Sequence, residues 1–388
     1  MRTVEELVAA AGDPAVRDIE IHEQITGVPS LALSPGQRLT GTGSLAFAPG
    51  VDGLTLGRDT AVSGLDIRVD PVRRALLAAG DVGTLRLTGV TVVGQVQLLP
   101  TAGHVEVDGL DIVAADVRDR ADRPDLLGVA VLQGAFTLWN RATGGTVTAD
   151  LRGIAAGRDG APVRGTGVFV AGAARDGGGR LEVGVLETGP VFSDAGIREG
   201  SHDTISGGVF VVYGAHVREV VNRGTVTTYG ANDMLLDNWG AVDAWTAEKP
   251  LTSYGRNGVG FVNFGSVGVL RVTAPIETHG MGARGFNVYP LDGHSGPSVE
   301  TAEFDRITTH GDAAVGIQIG HPIGRLVVHN GVETHGGTGE SLVRGAIVQL
   351  SAHALSIVPG GSAETIEIGG VLRSHGPGVS TIDMRAAR

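Results

Sequence analysis

Along most of this chain, apolar residues recur at every second position in short runs, each cut off by glycine or asparagine. That alternation is the period of a half-buried strand, because successive side chains on extended backbone point to opposite faces, and the interruptions read as tight turns. Helical periodicity is confined to the N-terminus. There Thr3 and Glu6 stand in capping-box spacing ahead of Leu7, Val8 and Ala9 to Ala11, which predicts a helix stopping near Gly12-Asp13-Pro14. Such a helix, within residues 1–14, would form a lid on the first layer of strands.

After residue 200 the strand runs repeat. Thr228-Tyr229-Gly230, Ser253-Tyr254-Gly255, Thr278-His279-Gly280, Thr309-His310-Gly311, Thr334-His335-Gly336 and Ser374-His375-Gly376 share one pattern, with glycine-to-glycine spacings of 25, 25, 31, 25 and 40. Two positions before each Thr or Ser comes an aliphatic residue: Val226, Leu251, Ile276, Ile307, Val332 and Leu372. A second column keeps step, since Tyr213, Trp239, Phe264 and Tyr289 are spaced 26, 25 and 25 apart. The N-terminal half is looser, with Gly64-Leu65-Asp66-Ile67, Gly89-Val90-Thr91-Val92 and Gly109-Leu110-Asp111-Ile112 at spacings of 25 and 20. A unit of about 25 residues holding three short strands cannot bury its own apolar face, whereas stacked units bury a continuous core with strands about 4.8 Å apart. In-register repetition predicts parallel stacking. The expected fold is all-β, one solenoid over residues 15–388; a β-propeller, whose blades need about 40 to 45 residues, fits poorly.

Coil length, glycine turns, stacked columns and the N-terminal capping helix together resemble the right-handed parallel β-helix superfamily, of the pectate-lyase-like kind, over roughly residues 15–385. The resemblance implies a carbohydrate-active enzyme, a hydrolase, lyase or epimerase, working in a groove along the helix. Polygalacturonase signatures are absent: there is no Asn-Thr-Asp, Asp-Asp, Gly-His-Gly or Arg-Ile-Lys. No compact acidic run facing a basic residue suggests pectate-lyase-like calcium chemistry either. A non-catalytic binding or structural scaffold is the competing reading.

Alternation assigns the columns to faces. Phe210, Leu236, Phe261 and Phe286 are uniformly large and apolar and are placed in the core. Val211, Asp237, Val262 and Asn287 then face outward, with Gln318 continuing the column. Val212, Asn238, Asn263 and Val288 face in, where the two asparagines could form an amide ladder. Tyr213, Trp239, Phe264 and Tyr289 fall outside, as a platform for a sugar ring or other flat ligand. The alternative is an internal aromatic stack, reached if the turn reverses the alternation. Asn287, Arg284 and the insertion from Pro290 to Pro297 border the row as further candidate substrate contacts. Asp237, desolvated by Val211 and Val262, is the candidate general acid, with Asp233 as its helper, because glycosidic chemistry uses two carboxyl groups about 5 to 9.5 Å apart. Solvated turn carboxylates are the alternative for both.

In the motif column the hydroxyls face in and Tyr229, Tyr254, His279, His310, His335 and His375 face out. His279, His310 and His335, helped by Glu277 or Glu333, are a candidate divalent-metal site of the kind that suits zinc or nickel, against the plainer reading of solvated histidines beside turn glycines. The glycine-rich stretch Ala171 to Gly179 lacks the lysine and following helix of a phosphate loop.

Composition narrows the partners. Glycine fills 63 of 388 positions without a Gly-X-Y period, and hydrophobic residues reach 42%, which argues against disordered and collagenous chains. Thirty Lys+Arg against 42 Asp+Glu give a net charge of −12, with Lys249 the single lysine. That balance disfavours nucleic acid, and it repels polyanions unless a metal or a local arginine cluster intervenes. A neutral or weakly charged saccharide or small molecule fits better. There is no cysteine, no apolar run of membrane-spanning length and no signal-peptide core at the start, so a soluble, cytoplasmic protein is expected unless a leader has been trimmed. Flat faces and bare coil ends make a homodimer or homotrimer the expected assembly.

Overall fold

From residue 204 onward each coil contributes three strands of different length, and each strand stacks on its counterpart in the next coil. In the computed structural model, which describes residues 1–126, 128–173, 177–289 and 296–385, the shortest set is Val226–Thr228, Leu251–Ser253, Ile276–Thr278, Ile307–Thr309, Val332–Thr334 and Leu372–Ser374, paired in parallel throughout. The second set, Thr204–Val211, Asp233–Asn238, Val259–Asn263, Arg284–Val288 and Val315–Ile319, stacks likewise. So does the third, Ala215–Asn222, Ala241–Ala247, Ser266–Val272, Val299–Phe304 and Pro322–Val328. Parallel pairing continues back to the first coil, so that among the described residues 35 strands join one hydrogen-bonded network. The molecule is a parallel β-helix.

Its core is a continuous file of inward side chains. Ile19, Leu39, Val62 and Leu87 stack in register at the N-terminal end, and Leu236, Phe261 and Phe286 do so further along, all fully buried. Phe261 meets the edge of Trp245 with ring centroids 5.1 Å apart. The first coil is covered by helix α1 (Val4–Gly12), which buries Leu7, Ala10 and Ala11. Thr3 caps it by accepting the Glu6 amide at 3.2 Å. Beyond the helix, the buried Gln37 shares its side-chain N–H groups among the carbonyls of Ala10, Asp13 and Val16 at 3.0 to 3.1 Å, which pins the helix end to the coil beneath it.

The Thr-(Tyr/His)-Gly motif has a separate reason for each position. From Thr228 to Thr334 the hydroxyl residues are fully buried, with Ser374 half-buried; Thr228 bonds to Ser253 at 3.0 Å and Thr334 to Ser374 at 2.9 Å, while Thr309 donates to the Ala314 carbonyl at 2.6 Å. The ring points out. The glycine is demanded by close approach: a Cβ on Gly255, Gly280, Gly311 or Gly336 would stand 1.7 to 2.1 Å from the carbonyl oxygen of the motif glycine one coil earlier. Any side chain there would wedge the coils apart.

Two additions interrupt the plain coil. Val129–Val131 lies beside the start of Thr204–Val211, with Val131 level with Ile205. The second is an antiparallel hairpin, Thr338–Val343 with Ala346–Ser351, turned by Arg344 and Gly345. Both turn residues have positive φ, 49° and 77°, as a two-residue hairpin turn requires. The hairpin's ends meet where the Ala352 amide donates to the Gly337 carbonyl at 3.1 Å.

Candidate functional site

The second set of strands has two faces, and its outer face is not bare. Asp237 is level with Phe210 on one side and with Val262, Asn287 and Gln318 on the other. Phe210 therefore belongs to the outward column, which corrects its expected place in the core; Val209 occupies the inward position instead. Val211 in turn aligns with Asn238 and Asn263, which face inward as a bonded amide pair, Asn238 donating to Asn263 at 2.8 Å. The cause is a turn of unequal length: Val211 and His216 pair with Asn238 and Ala241, so the earlier turn holds two more residues.

Trp239, Phe264 and Tyr289 follow at the turn and pack in sequence, with centroids 6.1 and 5.5 Å apart. Tyr213 stacks on Trp239 at 6.4 Å from its longer turn. The expectation of an exposed aromatic platform fails for Trp239 and Tyr289, which are only 3% and 7% exposed, while Tyr213 and Phe264 are half-buried. A second apolar cluster, separate from the central core, covers this face. It includes Val129, Val131, Ile205, Phe210, Met234 and Trp239. The hairpin closes the other side, docked by the Leu342 amide on Asn257 at 3.0 Å, by Ser341 on the Gly282 carbonyl at 2.9 Å and by Arg256 on Glu340 at 2.6 Å.

Between these covers lies a small pocket with about 70 Å³ of accessible space. Its walls are mostly apolar: Val129, Ile205, Met234, Val259, Val262 and Leu342, with the rings of Trp239, Phe264 and Tyr289. Polar groups converge on it with few partners. Both carboxyl oxygens of Asp237, the Trp239 indole N–H, the Asn287 side-chain oxygen and one terminal N–H₂ of Arg284 are buried and make no hydrogen bond among the described residues. Arg284, 2% exposed, donates through Nε to Gln318 at 2.8 Å and through Nη1 to the Gly282 carbonyl at 3.2 Å, and no described carboxylate pairs with it. Gln318 also accepts the Tyr289 hydroxyl at 3.1 Å. Above that ring, 5.0 Å from its centroid, lies the guanidinium of Arg344, carried by the hairpin tip. A non-glycine residue with φ of 49° is costly, and here it places a cation at the pocket wall.

Burial pushes the Asp237 carboxyl well above its usual range; the Trp239 indole and the Asn238 amide pull it only part of the way back, without reaching hydrogen-bond geometry.

Six of the predicted residues, Asp237, Trp239, Phe264, Asn287, Arg284 and Tyr289, thus line one pocket. Asp233 does not. Its carboxyl group clamps a turn, accepting the amides of Gly230 at 2.9 Å and Ala195 at 3.2 Å, and burial with the nearby Asp194 charge raises its pKa to about 8. The wall expected from Pro290 falls outside the described residues, as do positions 174–176 of the glycine-rich stretch. Unforeseen members are Val129, Met234, Leu342 and Arg344. The 40-residue interval between Gly336 and Gly376, against 25 to 31 elsewhere, is the signal for the last two.

The outward rings of the motif column form a separate feature on another face. Tyr229, Tyr254, His279, His310, His335 and His375 stack continuously, with centroids 4.7 to 5.6 Å apart and planes within 14° of parallel. The expected trio of His279, His310 and His335 is divided: His279 and His310 gather with Glu277, and His335 gathers with Glu333 and His375.

No known family matches. Comparison with family models, with curated proteins and with solved structures found no counterpart for the chain.

Proposed function

We propose that the pocket binds a compact molecule with an apolar body and one anionic group, that Arg284 anchors the anion, and that Asp237 serves as the proton donor. One observation carries this reading: a buried guanidinium with a free N–H and no described carboxylate partner. Burying such a charge alone is costly, and an anionic ligand supplies both the missing acceptor and the missing charge. Arg344 adds a second cation at the same wall. Against a net charge of −12, these two arginines make a local exception in which an anion is favoured. The apolar walls take the body of the ligand, and Asp237 beside it, whose burial favours the protonated form, is suited to donate to a developing negative charge or a leaving group.

A carbohydrate-active enzyme of pectate-lyase-like kinship is the second reading. Coil length and the aromatic rings beside Asp237 support it. The scarcity of polar side chains for sugar hydroxyls favours the first.

The test uses a matched pair of fluorescent probes, 1-anilinonaphthalene-8-sulfonate and its neutral analogue N-phenyl-1-naphthylamine. The wild-type protein should bind the sulfonate saturably and more tightly than the neutral probe. Arg284→Met should weaken the sulfonate by about tenfold or more, the scale of one charge-assisted hydrogen bond, and leave the neutral probe nearly unchanged. Equal losses for both probes, or none, would remove Arg284 as the anchor.

A further inference from the structure

We propose that the histidine face of the solenoid holds two transition-metal sites of one design, Glu277 with His279 and His310, and Glu333 with His335 and His375. In each, a Glu-x-His pair on one coil is completed by the histidine of the next coil. In each, the three ligand atoms lie within 4.8 Å of one another. His310 meets Glu277 at 2.8 Å and His375 meets Glu333 at 2.9 Å, with His279 3.7 Å from the same Glu277 carboxylate. Between the two groups the pattern lapses, because Thr308 replaces the glutamate on the His310 coil. The result is two discrete sites two coil steps apart, about 10 Å at the usual strand spacing, too far to share a bridging ligand.

The donor set selects the metal class. Two imidazoles and one carboxylate suit zinc, with a fourth position left to water, and they bind nickel or copper at least as well; calcium and magnesium prefer all-oxygen sites. The side chains are about one-third exposed, so an ion can reach them. Geometry adds a consequence. A metal binds near the plane of an imidazole ring, yet His279 and His310 are parallel to within 4° at 4.7 Å, and His335 and His375 to within 2° at the same distance. Binding must swing at least one ring of each pair out of the stack, so the metal and the continuous ring column exclude each other.

The experiment is isothermal titration of untagged, chelator-stripped protein with zinc chloride at pH 7.5, beside histidine-ring NMR. The expected result is two equivalents bound, His310→Ala losing one, His375→Ala losing the other and the double variant losing both. Glu277→Gln and Glu333→Gln, which keep all the rings, should each weaken one site about tenfold or more. The imidazole resonances of all four histidines should shift on binding, and the copper(II) form should show splitting from two nitrogens per ion. Fewer than two equivalents, or equivalents that survive in the double variant, would overturn the proposal, as would zinc binding that leaves those resonances in place.

Discussion

Asp233 offers a quantitative check on the reading of the buried carboxyls. In the fold its acid has a pKa of about 8, against about 3.9 in an unfolded chain, because burial and the Asp194 charge outweigh the amides of Gly230 and Ala195. Between these values the folded protein holds a proton that the unfolded chain has released. The associated stability is fully present below about pH 4 and is lost as pH rises to about 8, after which the loss levels off. A separation of roughly four units, at about 1.4 kcal/mol each, amounts to a loss on the order of 5 kcal/mol. Asp233→Asn keeps an oxygen for the two amides and cannot ionise. Urea unfolding of both proteins at unit steps from pH 4 to pH 9 should therefore show similar stability at the acid end and a growing advantage for the variant, reaching several kcal/mol near pH 8. Carbon NMR of the labelled carboxyl gives the same answer directly. Parallel stability profiles, or a carboxyl titrating near 4, would refute the argument and with it the assignment of Asp233 as a protonated turn clamp.

Three further outcomes test other levels of the structure. Phe261→Ala, which empties a fully buried site against Trp245 and Phe286, should cost about 3 to 5 kcal/mol in chemical denaturation. Gly280→Ala, whose new Cβ would stand 1.9 Å from the Gly255 oxygen, should cost at least about 1 to 3 kcal/mol, while Gly144→Ala, in open space, should be neutral in the same melts. Asp237→Leu, placed between Phe210 and Val262, should raise stability at pH 7 by about 1 to 3 kcal/mol, since a buried carboxyl without partners is replaced by an apolar group; a loss instead would mean that its oxygens are satisfied in solution.

What the chain disclosed by itself was whatever repeats. Coil length, three strands per coil, the inward Leu236, Phe261 and Phe286, the hydroxyl ladder and the outward rings all follow from a 25-residue step, because each residue meets its own counterpart one coil away. Phe210, Val211 and Val212 take the faces opposite to those that alternation predicts, because the step fails there: the two extra residues at the Val211 to His216 turn shift one coil against the next. The burial of Trp239 and Tyr289 was hidden for a different reason. Their covers come from Val129 and Leu342, which lie far off along the chain on either side, and alternation reports which face a side chain takes without reporting what lies on that face. Asp237 and Arg284 were legible as polar residues beside the aromatic row. That they are buried without charged partners depends on those distant covers.

The hairpin that carries Leu342 and Arg344 enters and leaves the solenoid at one point, where the Ala352 amide already bonds to the Gly337 carbonyl. Its removal would leave a gap that a short linker could span, and neither the motif glycine Gly336 nor the core residues Ala354 and Leu355 belong to it. The rungs hold the coils together, while a local excursion from them lines the pocket with Leu342, Arg344 and Gly345. A hairpin of other sequence grafted between Gly337 and Ala352 would change the lining of the pocket, provided that it keeps the Leu350 contact with Ala313 and Val315 that seats it on the coils.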